Sequence, residues 1–206
     1  MIFRQALLVA VLFLAGSVFT LSCTHKSPEL QPSANSDSAQ YSIRAYVRGQ
    51  IRQLYDQPLV LDRIEQTGNA RDSSFVPITA LDWKNVIPAF VKSDISAPEF
   101  IGQYRFSIAD DDLTATRVLT YDALRPDLFT RIFQISTDVS NNLIRSVYIE
   151  TRESGFWKKR SQKLLYVPNR VIQIQETEDP LIGGTRQRRL EYRFASAAQD
   201  EPQIVE

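Results

Sequence analysis

From Ser42 onward, apolar residues recur at helical spacing. Ile43, Tyr46, Val47, Ile51 and Leu54 form one stripe, which predicts a helix that Pro58 ends. Arg44, Arg48 and Arg52 fall four apart on its other side. Leu59, Leu61 and Ile64 then lead to Thr67-Gly68-Asn69, and Ser74 to Ile78 returns, the layout of a β-hairpin. Leu81, Trp83, Val86, Ile87, Phe90 and Val91 restore the helical spacing, with Thr79 and Asp82 placed as an N-terminal cap. Pro88 lies inside this second helix and is expected to kink or divide it, because proline removes a backbone hydrogen bond. Ser96-Ala97-Pro98-Glu99 predicts a third, short helix running toward Tyr104.

After Asp110-Asp111-Asp112 the period changes to two. Expected strands are Thr114–Tyr121, Arg131–Asp138, Leu143–Glu153, Trp157–Val167, Arg170–Thr177 and Arg186–Phe194. Ser140-Asn141-Asn142, Ser154-Gly155, Pro168-Asn169 and Gly183-Gly184 separate several of them as turns. Connections this short cannot carry parallel crossovers, so the order implies an antiparallel meander. Alternation is plain in Leu190, Tyr192 and Phe194 against Arg189, Glu191 and Arg193, so one sheet face is buried and the other wet. Helices first and strands afterward predict an α+β domain, with N-terminal helices packed on a mainly antiparallel β-meander of about six to eight strands.

The first segment has a different character. MIFRQALLVAVLFLAGSVFTLSC places one Arg4 before an apolar run from Ala6 to Ala15, and the small Ser22 before Cys23. This is the layout of an export signal. A membrane span needs roughly 20 apolar residues, and Ala6–Leu21 is short for that. Thr24 to Gln40 is rich in Ser, Pro and other polar or small residues and cannot feed a core, so it reads as a tether. The expected organisation is signal 1–22, tether 23–40 beginning at Cys23, one domain over 41–196 and a tail over 197–206.

Leu21-Ser22-Cys23 resembles the end of a lipobox, the cleavage motif of bacterial lipoproteins, although Thr20 departs from the large aliphatic residue usual there. With the tether and the helix-then-meander order, the chain resembles small envelope lipoproteins of Bacteroidetes-like bacteria. The resemblance implies that Cys23 becomes the acylated first residue and that the membrane is a partner through this lipid. Thr24 is not the inner-membrane retention Asp of enterobacteria, and no acidic run follows Cys23. By the same resemblance the destination is the outer membrane, facing the periplasm. Cys23 is also the only cysteine, and lipidation accounts for a lone thiol outside the cytoplasm, the alternative being ordinary signal cleavage that leaves the thiol free.

Charge and chemistry narrow the function. Twenty-four basic residues balance 24 acidic ones, which gives no general pull toward nucleic acid. The single histidine, His25, lies in the tether, which leaves no supported histidine for triad catalysis or a zinc site. No phosphate-cradling glycine motif occurs. Asp110, Asp111 and Asp112 are the best cation candidate, but adjacent side chains diverge, and a solvated turn is the plainer reading. No cofactor is expected. Lys158, Lys159 and Arg160 beside Trp157 form the densest basic run, and Arg186, Arg188, Arg189 and Arg193 would enlarge it if their strand were adjacent. With Arg44, Arg48 and Arg52, this run is the candidate contact for an anionic surface, while an exposed hairpin end that discourages edge pairing and a solvated helix face are the plainer readings.

The leading expectation is a non-catalytic binding or assembly module for an envelope protein partner. The alternatives are a carrier or sensor of an apolar ligand held between sheet and helices and, more remotely, a carboxylate-based glycan hydrolase. Radioactive fatty acid should label the wild-type chain and leave Cys23→Ala unlabelled. Equal incorporation in both would refute the anchor.

Overall fold

The computed structural model describes residues 42–55, 57–81 and 83–195. The expectations for the signal, Cys23, His25, the tether and the tail fall outside these residues, as does Asp82, half of the expected cap. Among the described residues the protein is predominantly β. Nine antiparallel strands form one sheet, accompanied by two α-helices and two single 3₁₀ turns. No helix among them is long and apolar enough to cross a membrane.

Helix α1 spans Ile43–Tyr55 and α2 spans Trp83–Lys92. Between them β1 (Val60–Thr67) and β2 (Ala70–Pro77) form the expected hairpin, where Gly68 takes φ of +57°, a conformation that glycine adopts without strain. After α2 come β3 (Tyr104–Asp111), β4 (Thr116–Ala123), β5 (Thr130–Asp138), β6 (Ile144–Ser154), β7 (Lys158–Val167), β8 (Val171–Pro180) and β9 (Arg186–Phe194). The sheet order is β2-β1-β9-β8-β7-β6-β5-β4-β3. The meander thus runs without interruption from β3 to β9, and the hairpin joins its far end through β1.

Three expectations need correction. The third helix is only a 3₁₀ turn at Pro98–Phe100, and Gly102 with φ of +75° leads the chain out of helical geometry. Tyr104 therefore opens β3, a strand missing from the sequence reading; the meander β3–β9 has seven strands, and the hairpin joins it to make one sheet of nine. Pro88 does not divide α2, which runs through it with the proline on the exposed side.

The core lies on one face of the sheet. A cross-strand row of Leu190, Ile174, Leu164, Ile149, Phe133, Tyr121 and Phe106 crosses seven strands. A second row of Tyr192, Ile172, Tyr166, Val147 and Ile135 runs beside it. Ile43 and Leu54 of α1 and Val86 and Phe90 of α2 complete the cluster. Tyr46 meets the edge of Tyr166, with ring centroids 6.0 Å apart, and the Tyr166 hydroxyl donates to Gln50 Oε1 at 3.0 Å. A bulge between Thr130 and Ile132 interrupts the β5–β6 register. There Thr130 Oγ1 donates to the Ser93 carbonyl and Tyr104 Oη donates to the Thr130 carbonyl, both at 3.0 Å, which ties the sheet to the end of α2.

Asp94 fixes α1 to the same point. Its Oδ2 accepts from the Arg44 backbone N–H at 2.7 Å and from Ser42 Oγ at 2.9 Å. Its Oδ1 accepts from the Ser96 backbone N–H at 2.8 Å and from Ser96 Oγ at 2.5 Å. Ser42 caps the start of α1, its Oγ accepting from the Ala45 N–H at 3.2 Å, and Asp94 supplies the acceptor for the Arg44 N–H of the first turn. Burial alone would raise the Asp94 pKa, but the bonds from Ser96, Arg44 and Ser42 prevail and hold it below its usual value. Its stabilising effect is therefore complete above the ordinary carboxylate range and is lost as pH falls through the lowered value. Asp94→Asn should cost about 1–3 kcal/mol in urea denaturation at pH 7, by analogy with other buried charged acceptors. The difference between variant and wild type should shrink below about pH 4. A difference independent of pH would refute this role.

Candidate interaction surfaces

The residues expected to contact an anionic surface do not form one patch. Arg44 and Arg48 are exposed on α1, and the Arg52 side chain is outside the described part. In β7, side chains alternate, so Lys158 and Arg160 lie on the helix-covered face with Leu164 and Tyr166, whereas Lys159 lies on the opposite one. Lys158 pairs with Glu178 at 2.8 Å, and Arg160 pairs with Glu176, which also accepts from Gln162 Nε2 at 2.8 Å. These glutamates belong to β8, which separates β7 from β9. The arginines of β9 therefore do not extend the basic run of β7. Arg188 pairs with Glu65 of β1 at 2.8 Å, and Arg189 and Arg193 both engage Glu191. Glu191 is only 4% exposed, and although burial pushes its pKa up, the two arginines outweigh it and hold the carboxyl below its usual value. On the helix-covered face the Lys158–Glu178, Arg160–Glu176 and Arg188–Glu65 pairs continue past the apolar core as a ladder of opposite charges, whereas the Glu191 cluster lies on the opposite face.

The aspartate run is taken up by a turn. Asp110 receives two hydrogen bonds from the Arg117 guanidinium, both 2.8 Å, and Asp111 accepts from the Leu113 N–H at 3.0 Å and from Thr114 Oγ1 at 2.7 Å. Among the described residues no three acidic, histidine or cysteine side chains group as a metal site.

Two hollows exist. Between α1, α2 and strands β7 and β8, an apolar crevice lined by Val47, Leu54, Val86, Phe90, Tyr166 and Ile172 has a volume of about 20 Å³. That is far below the roughly 300 Å³ at which ligand sites begin. The helix-free face carries a polar hollow of about 550 Å³ that includes Arg105, Asp122, Arg131, Glu150 and Lys163. Its two carboxylates face cations, Asp122 with Arg105 at 3.4 Å and Glu150 with Lys163 at 3.7 Å.

Among the described residues, β2 and β3 are the two edge strands of the sheet. β2 carries Arg71 and Asp72 and finishes at Pro77, features that discourage strand pairing, although Phe75 in its uncharged centre is 75% exposed. β3 carries Arg105 near one end and Asp110 and Asp111 at the other. Its centre, Phe106-Ser107-Ile108-Ala109, is uncharged, and Phe106 and Ile108 are 36% and 41% exposed. Both side chains lie on the helix-covered face, beyond the reach of the helices, where Phe106 stacks on Tyr121 at 4.8 Å. Sequence reading missed this edge, although Tyr104, Phe106 and Ile108 alternate with polar or small residues. No family model, no curated protein and no solved structure matches the chain.

Proposed function

We propose that this chain is an envelope protein, held at a bacterial outer membrane by an acylated Cys23. In this reading its domain is a non-catalytic module that binds a protein partner along β3. The supporting observation is the β3 edge itself. It offers a row of free backbone donors and acceptors together with two apolar side chains, the combination through which an extended segment adds to a sheet. The opposite edge, β2, ends in Pro77 and carries Arg71 and Asp72, but it also exposes Phe75, so crosslinking at Phe75 is the comparison that tells the two edges apart. The helices cover the middle of the sheet and leave Phe106 and Ile108 of β3 partly exposed.

A second reading takes an apolar ligand between the helices and the sheet. It is favoured by the wholly apolar flanks of the crevice near Phe90 and Ile172. With about 20 Å³ available, it requires α1 and α2 to move off the sheet.

A photo-crosslinking amino acid at Ile108, introduced in cells, should yield one dominant adduct. The same probe at Ser161, on the helix-free face, should not. Equal adduct patterns at the two positions would remove the β3 docking proposal. Native mass spectrometry that finds bound lipid on the purified chain would favour the second reading instead.

A further inference from the structure

The turns between β6 and β7 and between β8 and β9 emerge at the same end of the sheet and are hydrogen-bonded to each other, Leu181 N–H donating to the Trp157 carbonyl at 2.8 Å. They place four large apolar side chains in solvent: Phe156 is 83% exposed, Trp157 70%, Leu181 66% and Ile182 86%. Phe156 and Trp157 pack edge to face with ring centroids 4.9 Å apart. Gly155 lets the first turn close tightly, its N–H bonded to the Lys158 carbonyl at 2.9 Å, where a Cβ would stand 3.3 Å from that oxygen. Both turns, Ser154–Trp157 and Pro180–Thr185, lack charged residues.

We infer that these paired turns form a membrane-contacting tip that enters the headgroup region of an anionic bilayer. Four apolar side chains on two protruding turns have no use for water, and a protein partner would need a matching hollow to bury them. A bilayer accepts such a protrusion without one, and Trp with Phe is the composition found at membrane–water interfaces. The charges behind the tip suit an anionic surface. Residues 152–162 and 176–188 together carry six cations and four anions, in a chain whose overall charge is zero. Lys159 and Arg186 stand next to the turns.

The point where the domain receives its N-terminal segment supports the same orientation. Ser42 is fixed to Asp94, next to Ser93, which is bonded to Thr130 at the start of β5. Lys92 pairs with Glu153 at 3.2 Å and lies over the Phe129 ring at 4.3 Å. Glu153 is three residues from Phe156, and the start of β5 and the end of β6 belong to the same sheet end as the tip. A segment entering at Ser42 thus joins the domain on the side of the tip. The inference does not depend on docking at β3, nor on acylation of Cys23.

The test uses the full chain with Trp83→Phe, so that Trp157 is the only tryptophan, reconstituted with vesicles of phosphatidylglycerol and phosphatidylcholine. The lipids carry bromine near the carbonyl end of their acyl chains. Trp157 should lose most of its emission, and the further changes Phe156→Ser, Leu181→Ser and Ile182→Ser should restore it while the far-ultraviolet circular dichroism stays the same. Absence of quenching would overturn the inference, because a chain held only by its N-terminal segment leaves Trp157 in water. Quenching that persists in the serine variant would also overturn it. Equal quenching by pure phosphatidylcholine would refute the anionic preference.

Discussion

The structure depends on one row of side chains. Leu190, Ile174, Leu164, Ile149, Phe133, Tyr121 and Phe106 stand opposite one another on seven consecutive strands. At about 4.8 Å per strand this row extends close to 29 Å. Because side chains alternate, a one-residue slip in any of these strands would turn its member of the row toward water. Register throughout the meander is therefore set by a single line of burial, and the helices need only cover its middle. Phe133, Ile149 and Leu164, at that middle, are fully buried, whereas Phe106, at the end, is left partly exposed.

The helices are attached by polar contacts at one end and by apolar packing along their length. Asp94 and Thr130 tie the start of α1 and the end of α2 to the sheet through directed hydrogen bonds. Val86, Phe90 and Leu54 supply the non-directional part. This division places the mechanical attachment of the helices beside the turns that carry Phe156 and Trp157, while the opposite sheet end holds the Asp111 turn and the Asn142 and Asn169 turns.

Much of this arrangement was legible from the chain. The alternation in β9 and the asparagine and glycine turns announced an antiparallel meander, and the three- and four-residue spacing announced both long helices. Asn142 and Asn169 take positive φ, as their turn assignment required. The Ser96-Ala97-Pro98 start signal misled, because local capping chemistry is equally at home in a single 3₁₀ turn and Gly102 decided what followed. The basic run at Lys158 was visible but its neighbours were not. Only strand order shows that β8 brings Glu176 and Glu178 against it. Likewise, Leu181 and Ile182 gain meaning only when the fold sets them beside Trp157.

The pairing of β1 with β9 has a kinetic consequence. Leu61 and Phe194 are cross-strand partners 133 residues apart in the chain. The first hairpin can form early, but its inner edge must wait until the last strand has been delivered. Contacts of such long range slow folding, since the intervening loop has to close before they return any stabilisation. A chain threaded through a translocation channel from its N-terminus would present β1 and β2 as an incomplete ribbon until β9 emerges. During that interval, escorting factors that shield exposed strands would have their main opportunity to act.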